Sequence, residues 1–144
     1  MNRNLKSVLR TYRRQGIKHM VDGDDVTHMS IMNDGACPIL QQVSTSEESV
    51  VIYSVSPHTV EEEEIGMASV ALMRMNAGLR FGSFLIDDEG TIVFRSGIFT
   101  GSRAVGSKVL LFHLRMGAYM INNHINGIEW CCSEPISGRE PMYG

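Results

Sequence analysis

The sequence predicts an α+β fold in the order helix, three strands, helix, two strands, helix, with a mainly antiparallel sheet. Three observations predict it. Residues 59–100 read as an apolar helix followed by a β-hairpin. Residues 2–15 carry apolar side chains at the spacing of one helix face. Between residues 17 and 56, apolar runs are separated by short turn-forming stretches, and short connections favour antiparallel neighbours. A chain of 144 residues suits one domain, read here as residues 1–126, with a C-terminal tail at 127–144.

In the first helix Leu5, Val8, Leu9 and Tyr12 fall at i, i+3, i+4 and i+7, and Gly16 stops it. Arg3, Lys6, Arg10, Arg13 and Arg14 take the remaining surface and Lys18 follows, so six of the 13 basic residues lie in the first 18 positions. This face reads as solvated, or as a patch for an acidic partner. Beyond Tyr12 it has no aromatics to stack on bases, which weighs against nucleic acid.

Ile17–Val21 leads into a turn at Asp22–Asp25. Val26–Met32 is the first strand. Pro38 opens the second, with Ile39, Leu40 and Val43 as its apolar positions, and Ser44–Ser49 is turn-like. Val50–Val55 is the third, ended by Pro57.

Thr59 is the expected N-cap of the central helix, with Glu62 completing a capping box and Glu61–Glu64 at the positive end of the dipole. Ile65, Met67, Ala68, Val70, Ala71, Leu72, Met73 and Met75 cover most of its circumference, the pattern of a helix buried on more than one side. Gly78 is expected to end it in a left-handed conformation. Phe81–Ile86 and Thr91–Arg95 flank Asp87-Asp88-Glu89-Gly90, a hairpin with a type I turn ending at Gly90. Phe84, Ile86, Ile92, Phe94, Val51 and Tyr53 should alternate between sheet faces. Asn76 should bond backbone in the turn leading into the hairpin, and Arg95 should meet solvent or an acid. The last helix is expected from a cap at Ser102 to about Asn123. It shows one stripe of Val109, Phe112, His113, Met116 and Met120, and another of Leu111, Leu114, Ala118, Ile121 and Ile125.

Little in the chain suggests covalent chemistry. His19, His28, His58, His113 and His124 form no HxH or HExxH pair, and Asp22, Asp24 and Asp25 lack the pattern of a calcium loop. Cys37, Cys131 and Cys132 fit reduced thiols. No catalytic residue, metal site or cofactor is expected. There is no apolar run of 18 residues and no signal-peptide core, and with a net charge of −3 the expectation is a cytoplasmic protein that binds neither membrane nor nucleic acid.

From the acidic helix start through MRMNAGLRFGSFLIDDEGTIVFRSGIF the chain resembles the YbjN-like family of bacterial sensory transduction regulators. The positions that carry this are Asn76, Gly82, Phe84, Ile86, Asp87, Gly90, Ile92, Phe94 and Arg95. The resemblance covers roughly residues 2–126 and implies a fold like that of type III secretion chaperones. It also implies a non-enzymatic protein-binding module, a regulator or chaperone-like adaptor. A secretion chaperone for a cargo protein and a small-molecule-binding sensor or enzyme are the alternatives. Apolar helix surface in excess of one sheet face predicts a homodimer, with Met67, Val70, Ala71 and Met75 at the contact.

Overall fold

The computed structural model describes residues 1–30 and 38–125. Helix α1 (Arg3–Gln15) starts where Asn2 Oδ1 accepts the Leu5 N–H at 2.7 Å, and it ends at Gly16. Its apolar stripe, Leu5, Val8, Leu9 and Tyr12, is buried as its spacing requires. Buried polar groups fix the helix in place. The Asn4 amide donates to the Ser46 carbonyl and to Thr100 Oγ1, both at 2.9 Å, and its oxygen accepts the Val105 N–H at 2.8 Å. Ser7 Oγ donates to the Val105 carbonyl.

Among the described residues the sheet has six strands rather than five: β1 (Met20–Asp22), β2 (Asp25–Ser30), β3 (Ile39–Thr45), β4 (Ser49–Thr59), β5 (Ser83–Ile86) and β6 (Thr91–Phe99). Their spatial order is β1-β2-β3-β4-β6-β5, and every pairing is antiparallel. The added strand is β1, which the tight turn at Gly23 folds back onto β2, with Met20 opposite Thr27. Ile31, Met32 and Cys37 lie outside the described residues. β4 does not stop at Pro57. It shifts register between Val55 and Thr59 and regains its partner at Thr91. A proline has no N–H to donate, and an irregularity in the ladder is where a strand tolerates one.

One sheet face is buried. It carries Val26, His28, Ile39, Gln41, Val43, Val50, Ile52, Ser54, Phe84, Ile92, Phe94 and Ser96. Period-two alternation puts Ile39, Gln41 and Val43 inward and Leu40, the remaining apolar position of the strand, outward. It also puts Phe84 and Phe94 on the buried face, and Val51 and Tyr53 on the other. Two clusters fill the core. α1 and the start of the last helix close over β2–β4, while the helix α2 (Ile65–Asn76) and the end of the last helix close over β5, β6 and Ile39.

Helix α2 spans Ile65–Asn76, and Thr59 is not its cap. Thr59 still belongs to β4, Val60 N–H donates to the Gly90 carbonyl at 2.8 Å, and Glu62–Glu64 form a single 3₁₀ turn before the helix. Nor is Gly78 left-handed. The helix unwinds through tight turns, with Gly78 N–H to the Met75 carbonyl and Leu79 N–H to the Asn76 carbonyl, both 3.1 Å. The hairpin turn closes through Gly90 N–H to the Asp87 carbonyl, and Asp87 Oδ1 accepts from Glu89 and Thr91 N–H. Gly90 has φ +83°, and a Cβ there would strike the Val60 carbonyl oxygen, so the turn requires glycine.

Helix α3 spans Ser107–Met120 and continues as a π turn over Ile121–Ile125. Gly106, not Ser102, precedes its first turn. The buried stripe is Leu110, Leu114, Ala118, Ile121 and Ile125, with Leu110 in place of the expected Leu111; of the other stripe Met120 is buried, whereas Val109 and Phe112 stay exposed.

Candidate interaction surface

Asn76 fixes where α2 sits. β5 is an edge strand, so the backbone of Phe84 has no strand on its outer side. The Asn76 carboxamide takes that place. Its Nδ2 donates to the Phe84 carbonyl at 3.0 Å, and its Oδ1 accepts the Phe84 N–H at 2.7 Å. One amide thus satisfies a donor and an acceptor together, as a neighbouring peptide group would. The expected bond from Asn76 to backbone is present, on the strand itself rather than the preceding turn. Behind it the Phe84 and Phe94 rings meet edge-on at 5.0 Å.

With Ala68 and Leu72 buried against the hairpin, the opposite side of α2 faces outward. Met67 is 61% exposed, Val70 44% and Met73 64%. Ala71 and Met75, expected beside Met67 and Val70, instead pack partly against the core. The i, i+3, i+6 spacing of Met67, Val70 and Met73 is the signal that would have added Met73. Beyond the helix Phe81 meets Phe112 of α3 edge-on at 5.6 Å, with Phe81 53% and Phe112 40% exposed. Nothing local in the sequence joins those two positions.

The buried face holds a polar chain that the sequence reading missed. Gln41 Nε2 donates to Ser54 Oγ and to the Leu114 carbonyl, each at 2.8 Å. Its oxygen therefore faces His28 Nε2, 3.0 Å away, which must donate. That leaves His28 Nδ1 to accept from the Tyr12 hydroxyl at 2.7 Å. Burial holds His28 below the usual histidine range and pushes the Tyr12 hydroxyl up, so the arrangement is neutral throughout. Every ring nitrogen is used within the fold, which makes His28 a packing residue. His113 Nδ1 pairs with Ser96 Oγ at 2.9 Å, and burial lowers its pKa as well. A cleft of about 660 Å³ opens beside this chain. It is lined by His28 with Ile17, His19, Met20, Met29 and Leu40 among others. Arg95, as expected, is exposed, with its guanidinium 6.0 Å from the Tyr53 ring centroid.

Among the described residues no group of three or more His, Cys, Asp or Glu side chains could hold a metal ion, and no helix is long and apolar enough to cross a membrane. Cys131, Cys132 and the tail lie outside the described residues.

The fold has a solved counterpart. The structure titled "Crystal structure of YbjN, a putative transcription regulator from E. coli" superposes with a TM-score of 0.61 at 11% identity, covering 82% of this chain and 85% of that one. No curated protein matches the sequence. Residues 4–130 match the family described as "Putative bacterial sensory transduction regulator". The match takes in α1, the whole sheet, the Asn76-anchored hairpin and α3, and the chain therefore belongs to the YbjN family.

Proposed function

We propose that the chain is a non-enzymatic protein-binding module of the cytoplasm, a regulator or chaperone-like adaptor that works as a homodimer. The observation that carries this is the outward side of α2, where Met67, Val70 and Met73 stand exposed in a row on a helix locked to the sheet by Asn76. Apolar side chains grouped on a rigid element are the usual mark of a contact surface. A twofold contact would cover this row with its own copy, centred on Met67 and Val70, with Ala71 and Met75 at its inner margin. The family's regulatory description supports the same reading.

Light scattering at micromolar concentration tests it. The native chain is expected at twice the mass of one chain, and Val70→Glu at the mass of one, with unchanged circular dichroism. A native monomer whose mass Val70→Glu does not alter would remove the dimer from the proposal.

A second reading, a small-molecule sensor, is favoured by the cleft between Ile17–Met20 and the ends of β2 and β3. Thermal-shift screening of small metabolites against the native chain and Leu40→Glu separates the two readings, since only a cleft ligand would lose its effect in the variant.

A further inference from the structure

The sheet face that carries no helix among the described residues is not uniformly polar. Register pairs Met29 with Leu40, Leu40 with Val55, Val55 with Val93, and Val93 with Leu85. These five side chains form one unbroken apolar row across β2, β3, β4, β6 and β5. Four strand spacings make it about 19 Å long. Met29 is 55% exposed, Leu85 44% and Leu40 39%, with Val55 and Val93 half-buried between them. On the side away from the strand ends the neighbouring row is Thr27, Gln42, Tyr53, Arg95 and Ser83, polar apart from the Tyr53 ring. On the strand-end side, beside Leu85 and Val93, stands the exposed turn Asp87-Asp88-Glu89. Glu61 is next to it, because Val60 is bonded to Gly90.

We propose that this row is the docking site for a short peptide segment of a partner protein, with apolar side chains along its length and basic residues at the end lying over β5. The proposal rests on the protein-binding reading above and names a surface for it distinct from α2. Charge selects the partner: four exposed carboxylates border one end of the row, and a segment with lysine or arginine there would neutralise them. Charge also selects a peptide over a second copy of this chain, which would bring its own four carboxylates to the border of the row. An extended peptide crosses 19 Å in about six residues and presents alternate side chains to the sheet.

The test is panning of a random dodecamer phage library on the full chain, followed by titration of the enriched peptides into isotopically methyl-labelled protein. Enriched sequences are expected to carry aliphatic or aromatic residues at alternate positions and Lys or Arg at one end. Methyl signals of Leu40, Val55, Val93 and Leu85 should shift together. Leu40→Glu and Leu85→Glu should weaken binding at least tenfold, and Val70→Glu should leave it unchanged. If either row variant fails to fold, the methyl titration of the native chain decides alone. The proposal falls if no sequence is enriched, if the enriched ends are acidic, or if the shifts fall on α2, or on Ile17–Met20 and Leu40 without Val55, Val93 and Leu85. It falls also if the row's signals move with protein concentration alone, the sign of a second copy, or show contacts to Trp130 of the chain's own tail. Loss of the dimer by light scattering would leave all of these outcomes readable.

Discussion

Phe84 lies on a sheet edge and is itself buried, so its outward N–H and carbonyl need partners. Among side chains of this length, only a carboxamide can both donate and accept in that plane. Asn76→Asp keeps the shape and the acceptor but loses the donor and sets a carboxylate against the Phe84 carbonyl. We expect a loss of about 1–3 kcal/mol in urea unfolding, seen as a lower midpoint with an unchanged slope. His28 gives a second residue-scale prediction. Burial keeps it neutral in the fold, while in the unfolded chain it titrates near its ordinary value of 6.5. Below that pH the unfolded state binds the extra proton, so stability is fully present above about 6.5 and falls as the pH drops from there. His113, lowered by the same cause, adds to the slope. Unfolding free energies at pH 7.5 and 5.5 should differ in the native chain, and the difference should shrink in His28→Gln.

At the scale of elements, α3 lies close against β4 because Gly117 has no side chain. A Cβ there would collide with Ser54 Oγ and crowd Gln41 Nε2. Gly117→Ala should therefore cost about 1–3 kcal/mol, despite the better helix propensity of alanine, and calorimetry should show a lower melting temperature. A lower cost in the Ser54→Gly background would identify the collision as the cause. Which elements the sequence could announce follows from where their causes lie. α1 was legible because its stripe, its buried face and its closing glycine are all local. The hairpin was legible for the same reason, as was the bond of Asn76 to backbone. The start of α2 was not, because Thr59 is held in β4 by Thr91, far along the chain. The same pairing carries β4 past Pro57. The inward place of Gln41 is set by alternation and by partners on other elements, His28, Ser54 and Leu114, and none of these shows in its own strand. Of the expected contact residues, Met67 and Val70 stand outward, but Ala71 and Met75 do not. An apolar helix shows from its sequence how much surface it must hide, not which side its neighbours leave open.

At the scale of the whole molecule, the three helices of the described residues share one sheet face, and the two clusters of buried residues beneath them take in the whole apolar stripe of α1 and Leu110, Leu114, Ala118 and Met120 of α3. On α2 they take in Ala68 and Leu72, with Ile65, Ala71 and Met75 packed against them, but Met67, Val70 and Met73 are left uncovered by the described part of the chain. If a second copy covers them, folding and association are linked, because the contact exists only between folded chains. Mass action then makes the folded state more stable at higher protein concentration. The melting temperature should rise over a hundredfold increase in concentration in the native chain, and stay constant in Val70→Glu. The variant should match the native chain at the dilute end, since the substitution is on an exposed position and leaves the core intact. Calorimetry or circular dichroism across that range reads both curves. A native melting temperature independent of concentration, together with a monomer mass, would mean that the α2 row is closed within one chain or left to a different protein.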